Sequence, residues 1–173
     1  MRKLCLAIVF FSAVFTHAQT PETTEAGGGP GFFIAPLTEL IGYSRKGPAL
    51  GGGLALGMGD GFAAGFRLLY AIDTEKLYTL EFLLFIRFFP FDIRGQSGLF
   101  FQINGGASLN GIRGAGSATG NNEGGLTADI AAGWRFPLGK PSAGQRQRWY
   151  IDPLIRTGYP FIFGLGAAFA YKF

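Results

Sequence analysis

The acids and bases of this chain fall in step. Glu39, Arg67, Glu81, Arg87, Asp129, Arg135, Asp152, Arg156 and Lys172 lie in segments where large apolar residues alternate with small ones. Within each segment the charges keep to one face, which in most segments is the one opposite the large apolar residues. Four carboxylates and five bases drawn to one side can do three kinds of chemistry. They can pair into an ion network that neutralises an enclosed polar space. They can line a narrow path for ions. Or two acids, such as Glu81 with Asp129, can act as general acid and base. The surrounding arginines weigh against the last. The reading adopted is the first, a polar plug with bidentate Arg–carboxylate pairs.

Composition excludes most other chemistry. Cys5 and His17 are the only Cys and His, and both fall within residues 1–18. That stretch reads as a secretory signal peptide. Arg2 and Lys3 form its positive start, residues 4–15 its apolar centre, and Thr16-His17-Ala18 its cleavage site. It is short for a membrane-spanning helix. Cys5 lies at the very start of the apolar centre, well before the cleavage site, so it cannot become a lipidated first residue. Cleavage leaves 155 of the 173 residues, with no thiol and no imidazole. Disulfides, Cys/His zinc sites and Ser-His or Cys-His nucleophiles are thereby excluded. No cofactor is expected.

Net charge falls from +4 to +2 with Arg2 and Lys3 gone, and no basic patch remains for nucleic acid. The glycine runs at 27–31 and 51–53 lack the Lys and Ser/Thr of a phosphate loop. The stretch 120–125 (GNNEGG) has one acid, too few for calcium.

The elements that must position the charges are strands, because the pattern has period two. It is clearest at 161–173. Phe161, Phe163, Leu165, Ala167, Phe169, Tyr171 and Phe173 share one face there; Ile162, Gly164, Gly166, Ala168, Ala170 and Lys172 share the other. Similar segments occupy 49–58, 62–72, 77–89, 99–109, 126–136 and 149–157. In the first, 32–44, Glu39 sets the phase, with Phe33, Ala35, Leu37, Ile41 and Tyr43 on its side. Residues 19–31 are polar, then glycine-rich, and read as a flexible lead-in to a single domain at 32–173.

Apart from the signal peptide, no apolar run reaches a helical membrane span, although 48% of the chain is hydrophobic. Short strands with an apolar outside explain this. Eight segments of about 9–11 residues can each cross a bilayer when tilted. Tyr70, Tyr78, Trp134, Trp149 and Tyr159 lie near segment ends and suit interfacial girdles, although ordinary packing is the alternative. The predicted fold is all-β: an eight-stranded antiparallel up-and-down transmembrane barrel. In architecture it resembles the small bacterial outer-membrane barrels of the OmpA and OmpX type. The aromatics Phe169, Tyr171 and Phe173 resemble the C-terminal signal by which such barrels are recognised for insertion.

The resemblance implies a bacterial outer-membrane location, periplasmic termini, and contact with outer-membrane lipid and the insertion machinery. Outer loops would follow the first, third, fifth and seventh strands. The longest would be 110–125, and the turn at 137–148 is long for a periplasmic one. Enzymes among such barrels use a His, which the cleaved chain lacks. The expected function is therefore a monomeric, non-enzymatic, structural or envelope role with a charge-plugged lumen. Alternatives are a narrow channel, an adhesin working through 110–125, or a soluble lipocalin-like carrier, which would need an apolar inside.

Overall fold

Period-two alternation becomes eight strands. They are β1 (Phe32–Tyr43), β2 (Pro48–Gly59), β3 (Phe62–Asp73), β4 (Leu77–Phe88), β5 (Gly98–Ile112), β6 (Glu123–Pro137), β7 (Trp149–Tyr159) and β8 (Phe161–Lys172). Each pairs antiparallel with the next, and β8 returns to β1 to close the barrel. The computed structural model describes residues 31–43, 47–73, 77–92, 97–112, 123–139 and 147–173. The expected signal peptide and all of the lead-in but Gly31 lie outside the described residues.

Pleating sends alternate side chains in and out. Leu50, Phe66, Phe82, Phe101, Ile130, Ile155 and Leu165 are exposed on the outer face. The inner positions of β2 are Ala49, Gly51, Gly53, Ala55 and Gly57, which leave room for side chains reaching from other strands. Eight strands enclose only enough space for side chains to fill. At the end bearing the termini, Phe33, Phe85, Phe89, Phe100, Tyr150 and Leu154 fill it. At the far end, Ile41, Ala49, Leu69, Ala71 and Phe161 do so. The β2–β3 turn is tight because Gly59 adopts φ +130°, where a Cβ would meet the Phe62 carbonyl at 2.1 Å.

Two expectations change. First, β5 and β6 run past their predicted ends, and their pairing continues to Asn110 opposite Glu123. Most of the ends of the expected 110–125 loop are therefore ladder; its centre, 113–122, lies outside the described residues. Glycine and polar residues read as loop, but two polar strands can still exchange backbone hydrogen bonds beyond an apolar belt.

Second, the phase of β8 reverses near its start. Phe163 pairs with Gly42 but Phe161 pairs with Tyr43, so Ile162 is an extra residue, a bulge. Phe161 is therefore inside, 2% exposed, and Ile162 outside, 57% exposed. The Thr157 hydroxyl donates to the Ile162 carbonyl at 2.6 Å and holds the bulge.

Candidate functional site: the luminal ion network

Eight of the nine charged residues on the small-residue face come together in the lumen, in two linked groups. The far group centres on Arg156 of β7. Its Nε donates to both oxygens of Glu39 at 3.0 Å, its Nη1 to Asp129 at 3.0 Å and its Nη2 to Glu81 at 2.9 Å. One guanidinium thus joins carboxylates from β1, β4 and β6. Arg67 of β3 brings a second guanidinium to Glu39. The Phe161 ring lies 3.9 Å from the Arg156 guanidinium carbon and covers it from the far end.

The near group centres on Asp152. Arg135 grips it with Nε at 2.8 Å and Nη2 at 2.6 Å, and Arg87 donates to it at 2.7 Å. The two guanidinium groups sit among rings: Arg87 is 4.2 Å from Phe100, and Arg135 is 4.9 Å from both Phe89 and Tyr150. A neutral relay connects the groups. Arg87 donates to Gln102 at 2.8 Å, Gln102 to Asn104 at 2.6 Å, and Asn104 to Asp129.

Sequence sets up these reaches locally. Arg156 must cross β8 to meet Glu39, and β8 offers glycines there. A Cβ at Gly164 would lie 2.9 Å from Arg156 Cγ, and one at Gly166 would lie 2.7 Å from Glu39 Cγ. Larger residues would occupy the path of the ion pair.

Lys172 is the ninth residue, and the structure does not bring it to the network. Its ammonium bonds Asp60 in the β2–β3 turn, at the rim, where Asp60 is 41% exposed. Lys172 follows the face pattern but sits too near the strand end to reach the lumen's centre. Gln102 and Asn104 are members that charge alone did not identify; their inward phase between charged neighbours was the available signal. Among the described residues, no group of three His, Cys, Asp or Glu could hold a metal ion.

Two solved structures share this architecture. The N-terminal β-barrel domain of Pseudomonas aeruginosa OprF matches with a TM-score of 0.55 and 13% identity, over 85% of this chain and 100% of that one. Neisserial surface protein A (NspA) matches with a TM-score of 0.58 and 12% identity, over 86% and 100%. This is the fold of the small bacterial outer-membrane β-barrels. No family model and no curated protein matches the sequence.

The aromatic residues expected in girdles near the strand ends lie on the outer face. At the far end, Tyr70 and Tyr78 stack with centroids 6.0 Å apart on the outside of β3 and β4, and Tyr159 is exposed. At the end bearing the termini, Trp149 lies 4.5 Å from Tyr171 and 5.2 Å from Phe169. Tyr171 meets Phe173 edge-on at 4.9 Å, and Trp134 lies 6.3 Å from Phe136. Phe169, Tyr171 and Phe173 thus form one packed stripe with Trp149.

Proposed function

We propose that the protein is an integral outer-membrane barrel with a structural, envelope-supporting role, monomeric and non-enzymatic, its lumen closed by the ion network. The observation that carries this reading is the pairing of charge within the network. Glu39, Glu81, Asp129 and Asp152 meet Arg67, Arg87, Arg135 and Arg156, and every one has an oppositely charged partner. A conducting path would need groups free to exchange partners with a passing ion. Here the charged groups are spent on one another.

An apolar outer face with aromatic belts suits outer-membrane lipid on both leaflets' interfaces. On this reading the signal peptide at 1–18 takes the chain across the inner membrane. The stripe Phe169, Tyr171 and Phe173 is then the part offered to the insertion machinery. The apolar outside also disfavours the soluble carrier.

The test has two arms. The cleaved chain, 19–173, is folded in detergent micelles and run boiled and unboiled on a denaturing gel, then added to a planar lipid bilayer. A heat-dependent mobility shift with no conductance is expected. Steady conductance by the unaltered barrel would replace the plug with the narrow channel; folding in plain buffer without detergent would overturn the membrane reading.

A further inference from the structure

The barrel wall is not uniform. Six of its eight ladders run without a break. The two broken ones border the same hairpin, β7–β8. Between β6 and β7, pairing runs from Ala128 opposite Tyr159 to Gly133 opposite Leu154, then stops. It resumes at Phe136 opposite Ile151, skipping Trp134 and Arg135 against Pro153 and Asp152. Between β1 and β8 it skips Ala35 and Pro36 against Ala170 and Phe169, and resumes at Leu37 opposite Ala168.

A proline explains each gap. The Leu138 N–H donates to the Trp149 carbonyl at 2.8 Å, which sets the alternation of the β6–β7 ladder. Counted in twos from there, Trp134 and Pro153 fall at a hydrogen-bonded pair. Pro153 has no N–H, so the Trp134 carbonyl loses its ladder donor. The Phe173 N–H donates to the Phe32 carbonyl at 2.8 Å, and the same count sets Pro36 opposite Phe169 at a hydrogen-bonded pair. The Phe169 carbonyl loses its donor too. Strand prolines ordinarily sit on edges or at bulges, and a closed barrel has no edge. In hydrocarbon, no water replaces the missing donors.

What spans these seams is charge. Arg135 and Asp152, the lumen-facing neighbours of the missing β6–β7 bond, form the bidentate pair of the near group. Arg156 passes from β7 over β8 to Glu39 on β1 and so crosses the β8–β1 interface three residues beyond its gap, where the ladder is paired again. We infer that the β7–β8 hairpin is a hinged panel of the wall, latched from inside by Arg135–Asp152 and Arg156–Glu39. It is the first part of the barrel to open sideways. The inference takes its bilayer setting from the membrane reading, but it does not depend on whether the lumen conducts.

Backbone amide exchange, read by mass spectrometry on the folded barrel in micelles, tests it. A heat-modifiability gel on each sample first verifies folding, so failure of the membrane reading is seen separately. Amides of β7 and β8 should exchange at least ~10-fold faster than those of β3 and β4. Asp152→Asn should raise exchange on both sides of the hairpin and leave β3–β4 unchanged. Pro153→Val returns the N–H and should slow exchange at the β6–β7 seam. Equal protection of all eight strands, or Pro153→Val leaving that seam unchanged, would overturn the inference. If Asp152→Asn does not fold, the unaltered protein and Pro153→Val decide alone.

Discussion

Arg156→Met is the sharpest perturbation of the lumen. Methionine keeps most of the side-chain length and removes the guanidinium. In the folded barrel the side chains of Arg156, Glu39, Glu81 and Asp129 are at most 1% exposed. The substitution leaves three carboxylates facing one remaining guanidinium, that of Arg67. Breaking a single buried pair typically costs about 3–5 kcal/mol, against about 0–1 kcal/mol for an exposed one. Three carboxylates lose a partner here, so the expected loss is at the upper end, about 5 kcal/mol. Urea unfolding in phospholipid vesicles, followed by the fluorescence of Trp134 and Trp149, measures it. Adding Glu81→Gln removes one of the stranded charges and should make the double variant more stable than the sum of the singles by about 1–3 kcal/mol. A loss below about 1 kcal/mol for Arg156→Met would refute the reasoning, since it would mean the group is solvated like a surface pair.

Other variants probe the remaining pieces. Phe161→Ala should cost about 3–5 kcal/mol in the same assay because it empties the cap over Arg156, whereas Ile162→Ala on the outside should cost distinctly less. Lys172→Ala should cost no more than about 1 kcal/mol, as its Asp60 partner is at the exposed rim. Gly166→Ala should destabilise by about 1–3 kcal/mol, because its methyl would meet the Thr38 carbonyl at 2.6 Å and Glu39 Cγ at 2.7 Å. Gly105→Ala, with nothing within 4 Å of the new methyl, is the control and should be neutral or better. Arg67→Ala with Arg156→Ala removes two guanidinium groups from the lumen and should produce bilayer conductance absent from the unaltered barrel; silence would mean that other side chains close the lumen.

Much of this molecule is legible residue by residue. A pleated strand throws neighbours to opposite faces, so the alternation of Phe62, Phe66, Leu68 and Tyr70 with Ala63, Arg67 and Leu69 already states which side is which. The eight spans and the inward phase of Glu39, Arg67, Glu81, Arg87, Asp129, Arg135, Asp152 and Arg156 follow from that local rule. Strand ends were less legible, as at 110–112 and 123–125, because polarity and glycine mark the edge of an apolar belt and not the end of a ladder.

Partners were beyond local reading. Which acid Arg156 finds depends on how far β7 is staggered against β1, β4 and β6, and on the glycines of β8 lying between. The bulge at Ile162 arises from the register of β8 against β1, so Phe161 turns inward against its own strand's pattern. Lys172 kept the pattern yet lies at the rim, because height along the barrel is not written in face. By itself the sequence determined the two faces of each strand, β8 before its bulge excepted, since that depends on bonded neighbours alone. Only the closed tertiary structure decided who meets whom across the lumen, since that depends on stagger, curvature and height, which are set by all eight strands together.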